Sequence, residues 1–399
     1  MRILMSGRNK RKWIYVLLLM GLLGLNGCGS PSSASAEMSS QASAEAAATV
    51  TEQAELVKTG SMELQYAENF TVDYYEGGYK MLTTLPDAKK YLLVPEGQSV
   101  PEDLDEDVCI LQEPLDQIYL VASGVMDMFA SLDAVDQIRF SGQKQENWYI
   151  QKAKDAMAAG TMVYAGKYSK PDYELLVSEG CDLAIENRMI THSPEVVEMM
   201  ESFDIPVMIE YSSYEQHPLG KVEWVKFFGA LTGKEAEAEE AFAEQTAILE
   251  KVSNGEKTGK TIAFFYVTSN GLIQVRQSTD YIPKLIELAG GRYIFDDLED
   301  SGSGRSTLNM QVEDFYAGAR DADILIYNSS IDGGVTTVDE LIGKCNILKD
   351  FKAVQEGQVY CTTNDMYQQS MAIGYLLQDM HTVLTEGDTG ELRYLFPLQ

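Results

Sequence analysis

Apolar residues are spread unevenly along this chain, and their spacing sets the elements it predicts. An unbroken apolar run covers Trp13 to Leu25, and from Gly29 to about Gly60 the chain is Ser, Ala, Glu, Gln and Thr with almost no large apolar side chain. The second stretch buries too little surface to offset chain entropy, so it reads as a flexible tether. Then β-favouring runs flank Glu76-Gly77-Gly78 between Phe70 and Leu85, where glycine supplies turn torsions, and predict a hairpin. Beyond it, short apolar runs at Gln117 to Ala122, Gln137 to Phe140, Met162 to Tyr164, Leu183 to Glu186 and Val207 to Glu210 alternate with helix-like stretches. Those stretches lie around Val125 to Leu132, Asn147 to Ala159, Pro171 to Glu179 and Pro194 to Phe203. Alternation of this kind is the signature of βαβ units.

A long helical span follows, from about Leu219 to Val252, interrupted near Thr232-Gly233. Trp224, Phe227, Phe228 and Leu231 recur at three- and four-residue steps, which packs one face of it. A second α/β set begins with strand Thr261 to Val267 and its hairpin partner Ile273 to Arg276, then helices Tyr281 to Ala289 and Val312 to Ala319. Strand Ile324 to Asn328, helix Thr337 to Ile342, strand Gln358 to Thr362 and a last helix from about Gln368 to Leu384 complete it. The expected fold is α/β, two Rossmann-like lobes joined by a single long bridging helix. Its parts are an N-terminal lobe 61–218, the helix 219–252 and a C-terminal lobe 253–399.

The N-terminal run has a different meaning. Arg2, Arg8, Lys10, Arg11 and Lys12 precede it without an acid, and it ends in Leu25-Asn26-Gly27-Cys28. It is shorter than the roughly 20 residues that span a bilayer, so it reads as a signal peptide, 1–27, cut before Cys28. The tetrapeptide resembles the bacterial lipobox, which implies lipid on Cys28 and a tether over 28–60 at the outer face of a cytoplasmic membrane.

Charge narrows the partners. The formal charge of −30 becomes −35 once the five basic residues of the signal peptide are gone, a surface that repels phosphate backbones and excludes nucleic acid. Beyond Cys28 the cysteines are Cys109, Cys181, Cys345 and Cys361, none in C-x-x-C spacing, which excludes zinc knuckles and thioredoxin-like chemistry and favours free thiols. No G-x-S-x-G, H-E-x-x-H or G-x-x-x-x-G-K motif supports catalysis, so the chain reads as a non-enzyme with no intrinsic cofactor.

From Phe70 onward the chain resembles the substrate-binding proteins of bacterial ABC importers, in the class that takes up siderophores, haem and cobalamin. The likeness is carried by the hairpin Phe70 to Leu85, by Glu113-Pro-Leu-Asp-Gln-Ile-Tyr-Leu-Val-Ala-Ser123, and by the segment Gly166 to Ile185. Ser193-Pro-Glu-Val-Val-Glu198, Leu231-Thr-Gly-Lys-Glu-Ala-Glu-Ala238 and Leu288-Ala-Gly-Gly-Arg-Tyr-Ile294 continue it in order. Two departures are an acidic insertion over roughly Pro95 to Asp107 and Asp116 where a basic residue is common. The resemblance implies a monomeric, lipid-anchored receptor that captures an iron–siderophore, haem or corrinoid between its lobes and hands it to an ABC permease and its ATPase. A receptor for another small ligand or a free metal ion, and a surface enzyme or adhesion module on the same fold, are the alternatives.

Ligands of open α/β sheets sit beyond the carboxyl ends of strands. The ligand-binding candidates there are Arg139, Lys167, Tyr168, Arg188, Tyr214, His217, Arg276, Arg305 and Tyr367, aromatic and cationic groups suited to a large, flat, anionic ferric chelate or tetrapyrrole. Each arginine also suits a local ion pair. Only His192 and His217 of the three histidines could reach a cleft, and both belong to one lobe, so no direct metal site is expected. The resemblance further implies permease docking through one exposed glutamate per lobe, at Glu195 and Glu313.

Overall fold

The computed structural model of the chain describes residues 56–298, 306–386 and 391–399; the 1–27 segment, Cys28 and Arg305 lie outside them. An antiparallel meander comes first: β1 (Lys58–Ser61), β2 (Phe70–Tyr75), β3 (Lys80–Thr84) and β4 (Lys89–Val94), with β5 (Val108–Gln112) added in parallel to β4. The β2–β3 turn uses the positive φ of Gly77 and Gly78, at 78° and 87°, a conformation that costs glycine nothing.

The first lobe is a wholly parallel sheet of β6 (Ile118–Leu120), β7 (Ile138–Ser141), β8 (Val163–Tyr164), β11 (Leu183–Asn187) and β12 (Val207–Glu210), in spatial order β12-β11-β6-β7-β8. A two-stranded ribbon, β9 (Gly166–Lys167) and β10 (Lys170–Pro171), projects from it. Its helices are α1 (Ser123–Ser131), α2 (Gln151–Ala159), α3 (Tyr173–Ser178) and α4 (Pro194–Ser202). The local signals are orthodox: Gly160 ends α2 in the left-handed region, Asp172 caps α3 by accepting from Leu175 N–H at 3.1 Å, and Pro194 opens α4. Strand order reverses between β6 and β11. That is the topological switch point, where the ends of neighbouring strands diverge and leave a crevice.

The second lobe contains β13 (Thr261–Val267), β14 (Ile273–Arg276), β15 (Arg292–Tyr293), β16 (Thr307–Met310), β17 (Ile324–Tyr327), β18 (Val359–Thr362) and β19 (Leu395–Pro397). The path runs β16-β14-β13-β17-β18-β19, with β13, β17 and β18 parallel and β15 paired to β13. Helices α7 (Tyr281–Leu288), α8 (Val312–Ala319), α9 (Val338–Lys344), α10 (Lys352–Gln355) and α11 (Ile373–Thr385) cover it.

The bridging segment departs from expectation. It is two helices, α5 (Pro218–Thr232) and α6 (Glu235–Ser253), separated by Gly233 at φ 69°. They fold back on each other: Lys226 Nζ lies 2.8 Å from Glu239 and 4.5 Å from the Phe242 ring centre, too close for residues 13 and 16 apart on a continuous helix. A left-handed glycine ends α5 and converts the expected rod into an αα-hairpin. Every α5 residue from Pro218 to Leu231 is buried, including Lys221, Glu223 and Lys226. The helix is the axis of the core, with Trp224 and Phe227 meeting Phe70 of the meander at 4.9 and 5.3 Å.

Two carboxylates fasten the segment before β2 to this axis. Glu223, wholly buried, accepts the backbone N–H groups of Gln65, Tyr66 and Ala67 at 2.8–2.9 Å, with Lys226 3.5 Å away. Glu215 accepts those of Glu68 and Asn69, and Trp224 Nε1 at 2.8 Å. Part of the acidity of the chain therefore serves as internal acceptors for a loop that has no ladder partner. Cys109, Cys181, Cys345 and Cys361 are free, and burial raises each thiol pKa. No helix among the described residues is long and apolar enough to cross a membrane.

Candidate functional site

A cleft of ≈ 480 Å³ opens at the switch point of the first lobe. Its wall is built from strand ends: Ser123 and Gly124 after β6, Asn187 to Met189 with Thr191 and His192 after β11, and Glu210 with Ser212 to Tyr214 at and after β12. The floor is Lys221 of α5, and Tyr367 and Ser370 of the loop between β18 and α11 close the far side. A volume of this size falls within the range of small-molecule sites.

Three of the expected ligand residues meet here. The Arg188 guanidinium stands 4.6 Å over the Tyr214 ring, a cation–π arrangement that presents a broad planar surface. Tyr367 faces them from the second lobe, its ring 6.4 Å from Tyr149 and its hydroxyl 3.0 Å from Gln368. Gln368 is fully buried and clasps the first lobe in both senses, donating to Asn147 O and accepting from Tyr149 N–H, each at 2.8 Å. Asp127 completes the clasp by accepting Met371 N–H at 2.7 Å. The closing loop is therefore fixed to both lobes.

The other candidates lie elsewhere, for identifiable reasons. Arg139 is the second residue of β7 and sits at the amino end of the sheet, where it binds Glu179 at 2.7–2.8 Å and the Gly160 and Thr161 carbonyls at 3.0 Å. Lys167 is exposed on the β9–β10 ribbon, and Tyr168 packs against the outer core of the first lobe. Arg276 is tied to Asp280 at 3.4 Å over the Phe264 ring. His217 caps α5, its Nδ1 accepting Leu219 N–H at 3.1 Å while its ring stacks 4.5 Å from Tyr66. Burial first, then Lys284, holds its pKa below the ordinary histidine value, which suits the neutral acceptor role. Arg305 falls outside the described residues. Glu195 and Glu313 are exposed in the first turns of α4 and α8.

Lys221 is the residue that sequence reasoning missed. It is about nine-tenths buried, its ammonium is 4.8 Å from the Tyr281 ring centre, and it lies within electrostatic reach of Asp127, Glu210 and Asp280. Burial pushes Asp127 up to about 6 and raises Glu210 and Asp280, with Lys221 acting in the opposite direction on all three. The available signal was three charged residues, Lys221, Glu223 and Lys226, inside a run, Leu219 to Leu231, too apolar for a surface helix. Among the described residues no group of three His, Cys, Asp or Glu side chains is placed to hold a metal ion.

Solved structures of similar shape carry the decisive comparison. A possible iron-binding, periplasmic solute-binding protein of Staphylococcus epidermidis matches at TM-score 0.54 and 17% identity, over 68% of this chain and 99% of its own. A periplasmic haem-binding protein of Vibrio cholerae does so at 0.54 and 14%, over 67% and 98%. The fold is that of a two-lobed ABC-importer substrate-binding protein. A third such match, to an ABC-type Fe3+-hydroxamate transport system of Saccharomonospora viridis, has TM-score 0.54 and 16% identity over 68% of this chain and 94% of that one. No family model matches the chain. In sequence it is 26% identical over 352 residues to an uncharacterised lipoprotein of Methanocaldococcus jannaschii, covering 80% of this chain and 81% of the relative. A second uncharacterised lipoprotein of that organism is 24% identical over 359 residues, covering 86% and 88%.

Proposed function

We propose that the chain is the extracytoplasmic, lipid-anchored receptor of an ABC importer, and that its cargo is an iron–siderophore, haem or corrinoid. The observation that supports this most is the cleft at the switch point, where Arg188 over Tyr214 and the opposing Tyr367 offer cationic and aromatic surface to a flat, anionic ligand. The solved relatives of like fold are named for iron, haem and Fe3+-hydroxamate, and two sequence relatives are named lipoproteins, which fits capture at a membrane surface. The lobe boundaries at 218 and 253 and lipid on Cys28 belong to the same reading.

Capture requires little motion in this scheme. The Gln368 and Asp127 contacts hold the closing loop to the first lobe, so binding proceeds with modest closure rather than a wide hinge. Glu195 and Glu313, exposed and 118 positions apart, are the residues we assign to permease docking. Charge reversal at Glu195 is expected to abolish uptake and leave cargo affinity intact; reduced affinity would place Glu195 in the cleft instead.

Titration of the purified lipoprotein with haem, cobalamin, ferric catecholates, ferric hydroxamates and zinc tests the receptor reading. Quenching of tryptophan fluorescence and a rise in melting temperature are expected with at least one ferric chelate or tetrapyrrole. Silence toward all of them, with clear stabilisation by zinc, would overturn it.

A further inference from the structure

Three independent donors with no internal use converge on one corner of the cleft. The first is the N-terminus of α1, a nine-residue helix that no side chain caps; its first two residues, Ser123 and Gly124, line the cavity, while the third, Val125, gives its N–H to Ala122 O at 3.0 Å. The second is the Lys221 ammonium, nine-tenths buried with a ring but no hydrogen-bond acceptor against it. The third is the hydroxyl of Ser370, which is 2% exposed and has no hydrogen-bond partner. All three line the same cleft, and two of them touch: a methyl group on Gly124 would lie 2.7 Å from Ser370 Oγ, so the serine hydroxyl packs directly against the Gly124 backbone at the start of α1.

The neighbouring acids do not occupy this corner as acceptors. Glu210 is turned to Ser212 N–H at 2.8 Å, Asp127 to Met371 N–H at 2.7 Å, and Asp280 to Arg276 and to Ile282 N–H at 2.9 Å. An unpartnered buried hydroxyl costs free energy, and beside it the same cleft is lined by an ammonium with no hydrogen-bond acceptor and an uncapped helix start, a combination that marks a site completed by a ligand. We infer that the α1 N-terminus, Lys221 and Ser370 form an oxyanion subsite that receives one carboxylate or phosphate group of the cargo. The subsite deepens the receptor reading above and rests on it for the identity of the rest of the ligand. It selects for a cargo with a protruding acid group and orients that group toward α5, leaving the flat body of the ligand to Arg188, Tyr214 and Tyr367.

The test titrates the purified lipoprotein, as wild type, Lys221→Met and Ser370→Ala, with haem, haem dimethyl ester, citrate and inorganic phosphate, read by tryptophan quenching and melting temperature. The wild type should prefer haem over the ester, or respond to citrate or phosphate, by about 30-fold relative to Lys221→Met and about 5-fold relative to Ser370→Ala. Ser370→Ala removes a hydroxyl that has no partner to lose, so it remains informative if Lys221→Met folds poorly. Haem and its ester bound equally well by the wild type, with no response to the free anions, overturn the subsite and leave the receptor reading standing. A preference unaltered in both variants also overturns it. Binding of citrate or phosphate that both variants weaken, with haem unbound here and every ferric chelate and tetrapyrrole of the receptor titration unbound there, keeps the subsite and overturns the receptor reading. Lack of response to all four probes overturns the subsite.

Discussion

Glu223 and Lys221 are two residues apart on α5 and face different surroundings. Glu223 looks toward the segment before β2 and is saturated, with three backbone N–H groups on its oxygens and Lys226 beside it. Lys221 looks toward the cleft and has only an aromatic face and carboxylates turned to other donors. Both are buried on one helix, so burial alone does not explain the difference. One face of α5 was completed by the protein during folding and the other is left for something that arrives later. Unpaired buried groups are rare enough that each asks for such an account.

Removing Glu223 should produce the largest effect. Glu223→Ala takes the acceptor from the backbone N–H groups of Gln65, Tyr66 and Ala67 and removes one of the two carboxylates beside Lys226, which keeps Glu239, and should cost about 3 kcal/mol of stability in urea unfolding. A loss under about 1 kcal/mol would erase the contrast between the two faces.

Glu186 supplies a third case, a buried carboxyl with neither partner nor opening. It is wholly buried on β11 with both oxygens unbonded, and burial raises its pKa to about 8, with Tyr119 and Tyr173 nearby. The folded chain keeps this proton over a range where the unfolded chain releases it. Stability is thus greatest below the ordinary glutamate range and is lost as pH rises toward 8. From pH 6 to 9 this group should remove roughly 2–3 kcal/mol, and Glu186→Gln should flatten that part of the profile. An unchanged slope in the variant would show that other groups set it.

Smaller effects test the architecture. Gly233→Ala forces a side chain into the left-handed turn between α5 and α6 and should cost about 1 kcal/mol, with no change in cargo affinity. Arg139→Ala should be smaller still, within about 0.5 kcal/mol, because its ion pair is partly solvated. Its effect on affinity should be nil; a clear loss would mean that the cleft extends to the amino end of the first sheet.

The alternation of apolar runs located most strands and helices because a parallel sheet buried on both faces writes continuous hydrophobic runs. Strand Thr261–Val267 and helix Val312–Ala319 fall where the pattern put them. Strands β4 and β5 escaped notice because the acidic stretch 95–107 separates them and reads as an insertion, although they pair in parallel across it. The fold-back at Gly233 was visible as an interruption but not as a reversal, since a glycine in a helical run tolerates either outcome. Within the site, Arg188, Tyr214 and Tyr367 follow strand ends and could be found by that rule. Lys221 could not, because a helix residue reaches the cleft only through the packing of α5 against both lobes. Arg139 and Arg276 failed to reach it because each found a nearby carboxylate, a choice that sequence spacing does not reveal.

The central claim is that the open face of α5 is where cargo sits, and backbone hydrogen exchange with and without bound haem or ferric chelate tests it most directly. The account predicts added protection at Ser123 to Met126, Arg188 to His192 and Tyr367 to Met371, and none at the saturated Gln65 to Asn69 segment. Protection confined to Gln65 to Asn69, or absent from all three cleft segments while ligand is bound, would contradict it.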